Sequence, residues 1–88
     1  MVAVPKDKFP IGCKITVKEG DLGHNNVSVA KVVAYGGSWD LVVYNPEMIG
    51  HDAHCGAYDQ NGELMSESYY RNLRGHLWYV NMDRAKKI

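Results

Sequence analysis

At 88 residues, 45% of them hydrophobic, the chain has room for one small domain with a single core and is too apolar to stay disordered. Ten basic residues balance ten acidic ones, which leaves no broad basic surplus for general binding to nucleic acid or an anionic membrane. No apolar run approaches the ~20 residues that cross a bilayer, Met1-Val2-Ala3-Val4-Pro5 lacks the apolar core of a secretory signal, and Cys13 and Cys55 are the only cysteines, so a cytoplasmic protein with free thiols is the simplest expectation.

Residues 1–8, with Pro5 and Pro10 bracketing Lys6 to Phe9, read as an extended lead-in whose Phe9 packs on the domain. Cys13, Ile15 and Val17 alternate with Lys14, Thr16 and Lys18, the period of two that marks a half-buried strand. Glu19 to Asn26 is polar, contains Gly20 and Gly23, and reads as a loop. Val27 to Tyr35 is the longest β-favouring run. Its apolar parity changes after Lys31, which predicts a bulge or sharp bend of the kind small barrels need to close. Gly36-Gly37-Ser38 predicts a hairpin turn, and Trp39 to Tyr44 the returning strand, with Trp39, Leu41 and Val43 on one face.

Asn45-Pro46 ends that strand. The following stretch to Arg74 is long for a connection in so small a domain, and such a stretch either carries function or has structure of its own. Within it, Asp59-Gln60-Asn61-Gly62 is a turn signal. Ser66 to Leu73 is compatible with one helical turn or a strand containing Tyr69 and Tyr70. Gly75-His76-Leu77-Trp78-Tyr79-Val80 is short, apolar and rich in aromatic and β-branched residues, and reads as a strand buried on both faces. Asn81 to Arg84 reads as a single turn, and Ala85 to Ile88 as a last short strand.

The order of Phe9-Pro10-Ile11-Gly12, a valine-rich strand, a Gly-Gly turn, Gly50-His51-Asp52, then Gly75-His76-Leu77-Trp78-Tyr79-Val80 and a terminal Ile88 resembles small Src-homology-3-like domains encoded by phages and mobile elements. Those domains often carry a Gly-His-Asp step, a variable stretch, and Gly-His-Cys-Trp-Trp-Val or a near relative. The resemblance spans residues 9–88. Leu77 stands where a cysteine is common, and the stretch between the two motifs is long. The resemblance implies an all-β fold, a small Src-homology-3-like barrel of about five strands with a long loop insertion, built as one domain over residues 1–88. It also implies a phage or mobile-element origin, and it brings little function with it.

Four constellations bear on function. His51, His54, Cys55 and His76 are potential zinc ligands, with Asp52 able to orient one imidazole. The second short-spaced pair of a structural zinc site is missing, so the expectation is no metal and no cofactor. Cys55 beside these histidines is also the raw material of a thiol nucleophile, but so small a barrel offers little concave volume for a substrate, and no catalytic residue is expected. The aromatics are numerous for the length, and exposed aromatics anchor protein interfaces. Lys14, Lys18, Lys31, Arg71 and Arg74 are able to gather on one side, the basis of an alternative reading as a small nucleic-acid-binding barrel.

The expected function is accordingly a non-enzymatic protein-binding module acting on a host or phage protein. Its surface is expected at the 45–58 loop and nearby aromatics: His51, His54, Tyr58, Trp39, Tyr44 and Tyr79. Asp52, Gly75 and Trp78 are expected to be structural. Nucleic-acid binding is the alternative, and a zinc- or thiol-dependent enzyme the third reading.

Overall fold

We describe the protein from a computed structural model, in which residues 1–18, 22, 26–52, 56–66, 68 and 71–88 are described. Five strands, β1 (Lys14–Val17), β2 (Val29–Tyr35), β3 (Asp40–Tyr44), β4 (Leu77–Asn81) and β5 (Ala85–Lys87), form one antiparallel sheet. Their order is β4-β3-β2-β1-β5, with β4 and β5 at its edges. The sheet is an open ladder.

Each strand follows from a local pattern. Ile15 and Val17 of β1 are buried while Lys14 is exposed, so period two turns one face inward. In β2 the expected parity break is a bulge: Val32 pairs with Val43 and Ala34 with Val42, which leaves Val33 as the extra residue. Ala30, Val32 and Tyr35 consequently join one core cluster, and Val33 and Ala34 a second. The Gly36 N–H donates to the Asp40 carbonyl at 2.8 Å, closing the turn into β3. After β4, the Arg84 N–H bonds to the Asn81 carbonyl, and the chain turns back to set Ile15 opposite Lys87 in β5.

The inner face of the sheet carries the larger core. Ile15, Val17, Val32, Tyr35, Leu41, Val43 and Val80 pack there with Phe9, Leu22, Val27 and Met48 from the connections. The Tyr35 hydroxyl donates to the Phe9 carbonyl at 2.7 Å, and burial pushes its pKa up to about 12.

The outer face is divided. Over β3 and β4 the long 45–76 connection lies against the sheet: Ala57 is buried with Val33, Ala34, Val42 and Leu77, and Met65 and Leu73 pack around them. Tyr58 exchanges backbone hydrogen bonds with Tyr35 at 3.0 and 2.7 Å, and Met65 N–H bonds to the Ala57 carbonyl at 2.7 Å, so this connection has structure of its own. One 3-10 turn, Arg71–Leu73, precedes β4. It supplies the helical alternative for the end of the 66–73 stretch; Tyr69 and Tyr70 lie outside the described residues.

Three expectations need correction. The lead-in is not simply extended: Phe9 N–H bonds to the Pro5 carbonyl around a turn, and Val2 N–H bonds to the Gly62 carbonyl. The third strand starts at Asp40, and Trp39 is 65% exposed, because it sits in the turn, where the alternation that buries Leu41 and Val43 no longer applies. The Trp78-containing strand is an edge strand, so Leu77 and Val80 are buried while Trp78 and Tyr79 are half-buried.

Candidate functional site

The two Gly-His motifs of the sequence meet in space. His51 and His76 form a parallel backbone bridge, in which His51 N–H bonds to the Gly75 carbonyl at 3.1 Å and Leu77 N–H to the His51 carbonyl at 3.2 Å. The glycines before them, Gly50 and Gly75, have φ of +85° and +86°, values that side chains disfavour. The His51 ring stands edge-on to Trp78 with centroids 4.7 Å apart, and Tyr44 meets His76 edge-on at 6.2 Å. The Asp52 carboxylate accepts from Arg74 Nε at 3.1 Å. These contacts clamp the start of the long connection to its end, just before β4. Asp52, Gly75 and Trp78 all belong to this clamp, and so does His51.

The other sequence-derived residues are scattered. Tyr58 pairs with Tyr35 and packs on the inner core. The Tyr79 ring lies against Gly36, and its hydroxyl reaches the Gly56 carbonyl at 3.3 Å. Trp39 projects from the β2–β3 turn, its carbonyl accepting from Met82 N–H at 2.8 Å. His54 and Cys55 lie outside the described residues, so the zinc and thiol constellations are not built from what is described. Among the described residues no group of three or more His, Cys, Asp or Glu side chains converges as a metal set. Cys13 is a free, half-buried thiol whose pKa is raised by burial.

A concave feature lies elsewhere, between β2 and residues of the connection that border it. Two depressions border β2, and a third lies beyond them. The first, of about 230 Å³, is bounded by Lys14, Val29, Lys31, Tyr44, Asn45 and Pro46. The second, of about 330 Å³, shares Lys31 and runs past Val33 to Leu73 and Ile11. The third, of about 410 Å³, shares Ile11 and is bounded by Asp59, Asn61, Leu64 and Met65. Together they form a trough that follows the strand and ends at the Asp59–Gly62 turn. Asp59 Oδ1 is occupied there, accepting from Asn61 and Glu63 N–H groups at 2.8 and 3.1 Å. The shoulder at the other end is also fixed: Asn45 donates its side-chain amide to the Val29 carbonyl at 2.7 Å and accepts from Glu47 N–H at 2.9 Å.

Of the sequence-derived candidates, Tyr44 borders this trough, and so do Lys14 and Lys31, two of the five cations of the nucleic-acid alternative. Val29, Ile11 and Leu73 were not singled out as a site, because their convergence depends on strand register and on how the connection folds back. No family model, no curated protein and no solved structure matches the chain. Among the described residues no helix is long and apolar enough to cross a membrane.

Proposed function

We propose that the protein is a non-enzymatic binding module, of Src-homology-3-like type and of phage or mobile-element origin, that takes an extended segment of a host or phage protein in the cytoplasm. The observation that carries this reading is the trough along β2. Its depressions are joined through Lys31 and Ile11 rather than gathered into one enclosed pocket, which suits a chain more than a small molecule. From Val29 to Val33 the strand advances roughly 13 Å, enough to lie beside about four residues of an extended partner. The Src-homology-3-like reading is supported by the strand order, in which β5 returns after a single turn to pair with β1. The binding role of Tyr44 is kept from the sequence reading. Trp39, exposed at the hairpin tip, is a second anchor, while His51 serves the scaffold.

Val29→Arg tests this reading. Val29 is 36% exposed, so the change costs little stability while it fills the trough mouth without altering the sign of its charge. Immobilised protein should capture a discrete protein from nuclease-treated bacterial lysate, and Val29→Arg should reduce that capture with an unchanged melting midpoint. Full capture by Val29→Arg, or capture that disappears on nuclease treatment, would remove the proposal.

A further inference from the structure

We infer that the trough's partner segment is acidic, carrying carboxylates together with apolar side chains, and that Lys14 and Lys31 are the residues that read the carboxylates. The inference rests on the binding-module reading above and adds the chemistry of the partner.

The strand register carries it. Lys14 is the direct cross-strand partner of Lys31. One row along, Thr16 stands between Val29 and Lys86. Residues two apart share a face, so Lys14, Lys31 and Lys86 all project on the outer side, and all three are exposed. Lys31 faces Tyr44 on its other side. The patch therefore contains three cations, a threonine, a tyrosine and the exposed Val29, with no acid in its rows. Among the described residues no carboxylate lies within ion-pair distance of any of these lysines. An ordinary solvated sheet face sets unlike charges opposite one another, because like charges directly opposite destabilise a strand pair. Here the chain places two exposed lysines opposite each other in the middle of its sheet. A bound carboxylate relieves that repulsion.

The spacing and the floor of the trough select a protein segment. Apolar Val29, Pro46, Ile11 and Leu73 line the depressions together with Lys14 and Lys31, a mixture that suits a segment carrying both acidic and apolar side chains. Nucleic acid fits less well. Three cations neutralise few phosphates, the chain as a whole carries no net charge, and Tyr44 is half-buried and edge-on to His76 instead of presenting an open stacking platform.

Fluorescence anisotropy on the full chain, at low ionic strength, tests the inference with three labelled probes: an alternating Glu-Val decapeptide, the matched Gln-Val decapeptide and a ten-nucleotide oligo-dT. The Glu-Val peptide should bind about tenfold tighter than the Gln-Val peptide, the gain expected of two or three partly exposed ion pairs acting together. The Lys14→Gln/Lys31→Gln double variant should abolish that preference, and Lys6→Gln, which lines none of the three depressions, should keep it. Equal affinity for the two peptides, or no binding of either, overturns the inference. If Val29→Arg still reduces lysate capture in that case, the binding-module reading stands with a partner of other chemistry. Oligo-dT binding tighter than the Glu-Val peptide, with the same dependence on Lys14 and Lys31, also overturns it and assigns the patch to nucleic acid.

Discussion

His51 and His76, twenty-five positions apart in the chain, are bridged backbone to backbone, each following a glycine of positive φ. The bridge joins the two ends of the long connection at the start of β4. It gives the paired Gly-His steps of the sequence a mechanical meaning: they are the two halves of one clamp. The clamp holds the edge strand while the connection between its halves covers the outer face over β3 and β4.

The clamp glycines should tolerate side chains poorly, and for a conformational reason alone. Among the described residues, and leaving aside the two chain neighbours, no atom lies within 4 Å of a Cβ added at Gly50 or Gly75. Gly75→Ala should therefore cost about 1–2 kcal/mol, the penalty of left-handed backbone for an L-residue. Urea denaturation provides the check, and an unchanged midpoint would show that the backbone relaxes freely at this position.

Gly62 should respond differently. A Cβ there meets the Val2 carbonyl oxygen at 1.7 Å, and φ is +76°. Gly62→Ala should detach the first residues from the Asp59–Gly62 turn, and trypsin should cleave at Lys6 and Lys8 faster than in the parent chain. Equal cleavage rates would show that Val2 is not held by this contact.

Tyr35 makes stability fall at high pH. Its pKa is about 12 in the folded protein and about 10 when unfolded. The unfolded chain thus loses the proton first, so the stabilisation is complete below pH ~10, declines above it, and is gone once pH passes ~12. Tyr35→Phe should flatten this alkaline decline and, by leaving the Phe9 carbonyl without its donor, lower stability at neutral pH by about 1–2 kcal/mol. Melting midpoints of both proteins between pH 7 and pH 11 measure the two effects together.

The two tryptophans should separate cleanly. Trp78 is half-buried on the inner core and braced by the His51 ring, so Trp78→Ala should cost about 3 kcal/mol, at the low end for deleting a large aromatic. Trp39→Ala should stay within about 0.5 kcal/mol, as surface changes do. Chemical denaturation of both variants decides between these assignments, and a large loss at Trp39 would return it to the core.

Lys31→Gln should raise stability. Removing one member of the Lys14–Lys31 pair relieves a like-charge contact, worth a few tenths of a kcal/mol. The gain should fade as added salt screens the pair. A lower midpoint at every salt concentration would show that the lysine stem contributes more by packing than its charge costs.

The sheet was largely legible in the sequence. Alternation marked β1, the Gly-Gly pair marked the hairpin, and the broken parity of Val32, Val33 and Ala34 marked the bulge, since each is a pattern of neighbours. The covering of the outer face was not. Ala57, Met65 and Leu73 are spread through a mostly polar stretch and show no period, and their burial depends on the connection folding back. Trp39 was misplaced because the alternation was carried one residue beyond the end of its strand. The candidate site was mostly illegible for a related reason. Lys14 and Lys31 are seventeen positions apart, and only the pairing register brings them face to face. Attention to the histidine-rich loop picked out His51 and Asp52, which meet His76 and Arg74 in the clamp, and of the trough the sequence reading named Tyr44, Lys14 and Lys31 without their register.

The pairing of β5 with β1 also sets the order in which the molecule can be completed. Ile15 pairs with Ala30 early but waits for Lys87 on its other side, and Val2 waits for Gly62. Pairings this distant along the chain favour slow folding. A polypeptide interrupted before Ala85 presents β1 as a bare edge, with Ile15 and Val17 beside unpaired backbone groups, and such an edge recruits other chains. Truncated products should therefore aggregate where the full chain stays dispersed.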